Sequence, residues 1–287
     1  MKQLLYVMPV LFILLILPGA CTERVAIDLE ESDDSMLVVF GEITDEVKAH
    51  AIYLSRSVSY FYNEKTPVVS GAIVSLSDGT TTVSLSEDPE DPGTYLTPDD
   101  YAGIPGNTYK LTIENVDINN DGIYETYTAE TGMKNTIPVE QVLVVYNSSW
   151  EGWEVGLFAK DPGETTNFYL YKVYRNGVLY TDSISDYRTS KDEFYNGNRI
   201  EGATVQYFDE EKGDTLLSGD KITLEVAGIT EDYYDFINQV QDEINDKIPL
   251  FSGPSANIEG NISNGALGFF SVMAISRGSC TYHGEGE

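Results

Sequence analysis

Residues that most often carry chemistry are scarce in this sequence. It holds two cysteines and two histidines, Cys21, Cys280, His50 and His283. With Cys21 read below as lipidated, two histidines and one free cysteine leave zinc catalysis short of ligands. Neither histidine lies in a recognisable arrangement with Cys280, which reads as an unpaired thiol near the end of the last strand and not as a nucleophile. Basic residues are also few: 17 Lys and Arg against 47 Asp and Glu give a net charge of −30. That balance argues against nucleic acid, where clustered Lys and Arg must neutralise phosphates. It argues equally against lying flat on an anionic leaflet. Leucine-rich helical periodicity is nearly absent, and no apolar stretch after residue 17 approaches the ~20 residues of a spanning helix. The glycine-rich stretch at 260–268 does not follow a strand and open a helix, so no phosphate loop is indicated. Carboxylates are too numerous for any pair to stand out as an acid–base couple. The chain is therefore read as non-enzymatic, with no catalytic residue assigned.

What is present begins at the N-terminus. Lys2 precedes an apolar run from Leu4 to Leu17, broken by Pro9. Its length and flanks are those of a signal-peptide core. Leu17-Pro18-Gly19-Ala20 then leads into Cys21. Small residues before a cysteine are what a lipoprotein signal peptidase accepts, although the bulky residue here stands four and not three positions ahead. Residues 1–20 are expected to be removed and Cys21 lipidated, so the mature chain is anchored to a membrane without spanning it. Two or three acyl chains hold stably where one holds only marginally, at ~0.8 kcal/mol per buried methylene. With Cys21 so committed, Cys280 has no disulfide partner within the chain.

Residues 21–35 are polar and acidic and read as a tether. From residue 36 short apolar runs alternate with turn clusters. The stretches 36–43, 51–57, 69–76 and 80–85 read as strands, the last two forming a hairpin around Ser77-Asp78-Gly79. Tyr109, Leu111 and Ile113 alternate with Lys110, Thr112 and Glu114, and 124–129 returns. About seven strands at regular spacing over 36–131 predict an immunoglobulin-like sandwich. A seam at 132–138 leads to a second β-rich domain over 139–287. Strands there are expected at 142–146, 153–158 and 221–227, with a hairpin of 168–174 and 178–181 around Asn176-Gly177. One amphipathic helix is expected near 230–247. Thr230 is its N-cap, Glu231 and Asp232 complement its dipole, and Pro249 ends it. Tyr233, Phe236, Ile237, Val240 and Ile244 share one face, which reads as core packed on a sheet.

Two groups of residues invite a binding role. Asp117, Asn119 and Asp121 lead into Gly122 with the spacing that opens an EF-hand loop, which makes them a candidate calcium site. The twelfth position is Thr128 instead of Glu, and the segment joins strands, so Glu125 or backbone oxygens would have to complete the shell. A plain hairpin turn uses the same residue types. Tyr169, Tyr171, Tyr174 and Tyr180 offer a stacking platform for sugar or peptide, with cross-strand packing the more ordinary use.

The order of several segments resembles a known family. LVVFGEIT (37–44), AIYLSRSVSY (51–60) and VSGAIVSLSDG (69–79) are followed by YKLTIEN (109–115), EDYYDF (231–236) and NISNGALGFFSV (261–272). Together they resemble the domain-of-unknown-function 4249 family of Bacteroidetes lipoproteins over essentially the whole mature chain. The resemblance carries no catalytic residues. It implies an outer-membrane, surface-exposed lipoprotein working beside a TonB-dependent nutrient transporter, as an accessory or ligand-capture partner. A cell-surface adhesion or matrix role is the alternative. It also implies glycan attachment at Asp-Ser/Thr-apolar triplets, matched by Asp34-Ser35-Met36, Asp182-Ser183-Ile184 and Asp214-Thr215-Leu216.

Overall fold

A computed structural model describes residues 35–58, 66–163, 165–193, 196–210, 213–245 and 258–284. Cys21 and nearly all of the tether lie outside them. The described chain holds sixteen strands and one α-helix, so it is mainly β, as its composition led us to expect. In order the strands are β1 (Leu37–Thr44), β2 (Ala51–Arg56), β3 (Ile73–Ser77), β4 (Thr82–Ser84), β5 (Ser86–Glu87), β6 (Thr94–Leu96), β7 (Thr108–Val116) and β8 (Glu125–Gly132). They continue with β9 (Val139–Asn147), β10 (Gly152–Lys160), β11 (Phe168–Arg175), β12 (Val178–Leu179), β13 (Arg188–Lys191), β14 (Arg199–Asp209), β15 (Lys221–Ile229) and β16 (Leu267–Thr281). The helix α1 spans Glu231–Asn245.

Nine strands form one sheet in the order β12-β11-β15-β16-β1-β2-β6-β5, with β13 added against β11. Two smaller sheets, β4-β3-β7-β8 and β14-β10-β9, complete the fold. Alternation along each strand decides what faces what. Leu37, Val39 and Ile43 of β1 share a core with Val74, Leu76, Leu111 and Ile113 of the four-stranded sheet. Tyr169, Tyr171 and Val173 of β11 share another with Val155, Leu157 and Phe208 of the three-stranded sheet. The intervening residues Leu170 and Phe269 point the other way, into a third core beneath α1. The large sheet is thus a common floor. Both small sheets stack on one face, and the helix covers the other.

That arrangement modifies the expected two-domain division. The N-terminal sandwich forms as expected, but its floor continues into the second half. β1 pairs in parallel with β16, from Val38↔Leu267 to Thr44↔Met273. Beyond Met273 the same strand turns to β15, pairing Gly228↔Ala274 through Lys221↔Thr281. The expected seam is itself tied to this floor. Lys134 bridges to Met273, and Thr136 Oγ1 donates to Val226 O at 2.9 Å. Residues from Ser35 onward make one compact unit.

The helix begins where its N-cap predicts; Pro249, expected to end it, lies outside the described residues. Tyr233 N donates to Thr230 Oγ1 at 3.3 Å, and Tyr233, Phe236 and Ile237 are buried. Ile244, a turn beyond Val240, is exposed. Under the helix a charged row crosses the sheet. Lys172 Nζ lies 2.5 Å from Glu42 Oε2 and 4.6 Å above the Tyr187 ring, while Tyr233 OH donates to Glu42 Oε1 at 2.8 Å. Lys172, Glu225 and Arg277 stand in register on adjacent strands, and Arg277 binds both Glu225 and Glu46. Burial alone would drive Lys172 toward neutrality, but the Glu42 carboxylate holds its ammonium above the ordinary lysine range.

At the far end of the sheet Asp220 clamps the Asn176-Gly177 hairpin. Its Oδ2 accepts from Arg175 Nη2 at 2.6 Å and from Leu217 N at 2.9 Å; its Oδ1 accepts from Asn176 Nδ2 at 2.7 Å. Burial pushes this carboxyl up, but those donors and the Arg175 charge outweigh it and hold Asp220 below its ordinary 3.8.

Two outcomes follow from these contacts. Lys172→Ala strands a half-enclosed carboxylate, so urea unfolding should show a loss of about 3 kcal/mol, the lower end for a broken buried pair. Lys172→Met combined with Glu42→Gln should recover most of it; equal losses in both variants would refute the account. The Asp220 contribution is present above the unfolded-state pKa and fades as pH falls through the lower folded value. Asp220→Asn should therefore begin less stable at neutral pH and lose less than wild type on acidification below about pH 4. Parallel acid limbs for the two proteins would contradict this.

Candidate binding groove

Two strands end their sheets with one edge unpaired, and they lie on either side of a groove. β13 pairs only with β11, through Phe168↔Lys191 to Tyr171↔Arg188. β14 pairs only with β10, across register shifts at Val155/Gly156 and Leu157/Phe158. Those shifts are β-bulges, which bend a strand and re-aim its side chains.

The groove has two contiguous compartments, joined where Arg188 and Tyr207 line both. The first, of about 430 Å³, is walled by Trp150, Tyr180, Asp186, Gln206 and Asp209. The second, of about 480 Å³, has an apolar floor of Leu157, Tyr171, Ile200, Ala203 and Val205, with Arg199 and Glu201 also lining it. Each volume falls within the range of ligand pockets, roughly 300–1,000 Å³.

Aromatic and charged groups are fixed at the junction. The Trp150 and Tyr207 rings meet edge to face with centroids 5.6 Å apart. Trp150 Nε1 donates to Glu154 Oε1 at 3.3 Å, and the same carboxylate accepts from Asn147 and Thr204. Those donors hold Glu154 below the usual carboxylate range. Gln206 is buried and donates to Asp186 O at 2.9 Å, which ties β14 to the 3₁₀ turn Ile184–Asp186. The Arg188 guanidinium lies 5.6 Å from the Tyr207 ring centre. Arg199 is paired with Glu140 at 2.5 Å. Arg188, in contrast, has no acidic partner among the described residues.

The residues singled out in the sequence fall elsewhere or play other parts. Asp117, Asn119 and Asp121 do come together, on an exposed loop between β7 and β8. Asp117 Oδ1 and Oδ2 accept from Asp121 N and Gly122 N, and Asp121 Oδ1 accepts from Ile123 N at 2.7 Å. Asn119 Nδ2 donates to Asp121 Oδ2 at 3.0 Å, and Arg56 binds the Ile118 and Asp117 carbonyls. Glu125 is not turned into this loop; it accepts from the Tyr127 hydroxyl. The four tyrosines of the hairpin do not make one platform. Tyr169 is fully buried, with its hydroxyl on Asp161, and Tyr174 binds Glu225 beneath Arg277. Only Tyr171 and Tyr180 reach the groove. His50 is a satisfied core residue: Nδ1 accepts from Thr44 N, Nε2 faces Glu46 O, and burial lowers its pKa. Cys280 is an unpaired thiol on β16, and burial raises its pKa.

The groove itself was missed because neither β13 nor β14 was expected. The available signal was the segment Arg199–Asp209, which holds Ile, Thr, Val, Tyr and Phe, residues that favour strands.

Comparison with known proteins adds a family and little else. No curated protein matches the chain. Among solved structures, the FN1-FN3 domains of chicken CNTN1 match with 14% identity and a TM-score of 0.25, covering 67% of this chain. The match spans 60% of that structure, and at so low a TM-score the likeness carries no argument. The family model described as "Domain of unknown function (DUF4249)" matches residues 22–279, and the chain belongs to that family.

Proposed function

We propose that the protein is a non-enzymatic outer-membrane lipoprotein, anchored through Cys21 and displayed at the cell surface. Its body captures a ligand for a TonB-dependent nutrient transporter. The observation that carries this reading is Arg188, a cation with no acidic partner among the described residues, in an aromatic-walled groove of a chain whose net charge is −30. An arginine so placed offers paired donors to a carboxylate. Trp150 and Tyr207 offer faces on which a sugar ring can rest. Asp186 and Asp209 line the same compartment and would disfavour densely charged polyanions. The ligand class that fits best is an oligosaccharide bearing isolated carboxylates, as in uronic acids. The leader sequence ending in Cys21 and the acidic stretch after it support the address.

Calorimetric titration with uronate oligosaccharides tests the groove. Binding should weaken by at least about tenfold in Arg188→Ala, the equivalent of about 1.4 kcal/mol, and also in Trp150→Ala. The neutral counterpart should bind more weakly than the acid. Equal affinities for wild type and Arg188→Ala would remove the basis for the reading. Affinity purification from detergent-solubilised outer membranes should recover a TonB-dependent transporter with the wild-type chain. Repeated recovery of the lipoprotein alone, with loss of attachment in the deletion strain, would favour adhesion instead.

A further inference from the structure

One end of the N-terminal sandwich gathers the points where several strands start and stop. β1 starts there at Leu37, and β2 stops opposite it at Arg56. β16 enters beside them, with Leu267 level with Val38. The four-stranded sheet brings the β7–β8 loop to the same end, because Arg56 donates to the Ile118 and Asp117 carbonyls. Asn264 Nδ2, just ahead of β16, donates to Thr126 O at 2.7 Å and fixes the start of β8 there as well. The opposite end lies at the β1–β2 turn, where Gly103 N donates to Thr44 O at 2.9 Å.

The two ends differ in what they expose. At the first, Met36, Val58, Val68, Ile73, Ile123 and Tyr124 are 42–66% exposed, and Leu267 stands beside them at 37%. They converge from separate segments. Met36 N donates to Ser57 Oγ and Ser57 N to Met36 O, both at 2.8 Å, which places Met36 next to Val58. Val68 bridges to Ser55, and Ile73 opens β3 opposite Glu114. Among the described residues the opposite end exposes only Val47 and Ile104 of comparable size. Apolar side chains collected in this way mark a surface that meets something apolar. The carboxylates of the β7–β8 loop, Asp117 and Asp121, accept from its own backbone N–H groups. Glu114 and Asp121 are exposed at the margin, so a zwitterionic surface suits this end better than an anionic one.

We propose that this end docks on the lipid surface that holds the anchor, an inference that rests on the reading of Cys21 as lipidated. The described chain enters the body here, at Ser35, 14 residues after Cys21. Fully extended, that stretch reaches at most roughly 50 Å, so the anchor keeps this end of the body near the membrane. Tyr124 suits a membrane boundary, where its ring lies among headgroups and its hydroxyl stays in water. The contact can be weak, because the acyl chains already hold the protein and the tether makes docking intramolecular. The groove is carried away from the lipid. Arg188 stands in the row Tyr171–Val226–Ser276, nine residues beyond Leu267 along β16. That is roughly 30 Å of strand, which leaves the groove open to ligand and partner.

Quenching by brominated lipid tests the docking. The full lipidated chain carrying Ile123→Trp, reconstituted in brominated phosphatidylcholine vesicles, should lose fluorescence relative to the same protein in unbrominated lipid. Tyr124→Trp should do the same. The wild type, with Trp150 and Trp153 alone, should not, and Ile104→Trp at the opposite end should behave like the wild type. Both isoleucines are exposed, so the substitutions leave the core intact. Absence of extra quenching in Ile123→Trp and Tyr124→Trp would overturn the docking, and a second copy seated on this end would give that result. Equal quenching of Ile104→Trp would overturn it too. Flotation with the vesicles reads the anchor separately. Wild type that fails to float loses the anchor and the docking with it; floating protein with an unquenched Ile123→Trp loses the docking alone.

Discussion

One strand holds the two halves of this molecule in a single sheet. β16 runs for 15 residues, Leu267–Thr281. Its first part lies parallel to β1 and its second part antiparallel to β15. A parallel partner so far away in sequence can be reached only after most of the chain is in place, because such pairing needs a long crossover. The N-terminal sandwich therefore borrows part of its floor from the C-terminus, with Phe270 and Val272 packing among Leu37, Val39 and Leu111. Folding through so non-local a contact is expected to be slow.

Everything of functional interest hangs from that floor. The charged row under α1 works only because β11, β15, β16 and β1 are neighbours, which brings Lys172 to Glu42 across 130 residues of sequence. Buried ion pairs contribute little net stability on their own. Their geometry here instead fixes which strands may lie side by side. On the opposite face the three-stranded sheet is carried by β11 and β15. Its free strand β14 and the added strand β13 then leave the groove between them.

Much of this was legible in the residues. Strict alternation made β7 readable from Tyr109, Leu111 and Ile113, and Asn176-Gly177 marked the β11–β12 hairpin through the positive φ both residues adopt. The helix was readable from Thr230 and the stripe that follows it. What escaped was whatever depended on distant partners. β14 is bulged twice and carries the buried polar Gln206, so its alternation does not run cleanly. β13 spans only Arg188–Lys191, with no apolar residue to announce it. The shared floor was invisible because Pro138 and the turn chemistry around it read as a domain seam. Nothing local reports that residues 134–136 are strapped to β15 and β16.

Cooperative unfolding tests the shared floor most directly. The chain has two tryptophans, Trp150 and Trp153, and both lie in the second half. Their fluorescence therefore follows one half, while far-ultraviolet circular dichroism follows all the strands. A single sheet stitched by β16 predicts that urea transitions from the two probes coincide in midpoint and slope, as for one cooperative unit. Two resolved transitions, with dichroism changing where tryptophan fluorescence does not, would show that the halves fold independently and contradict the account.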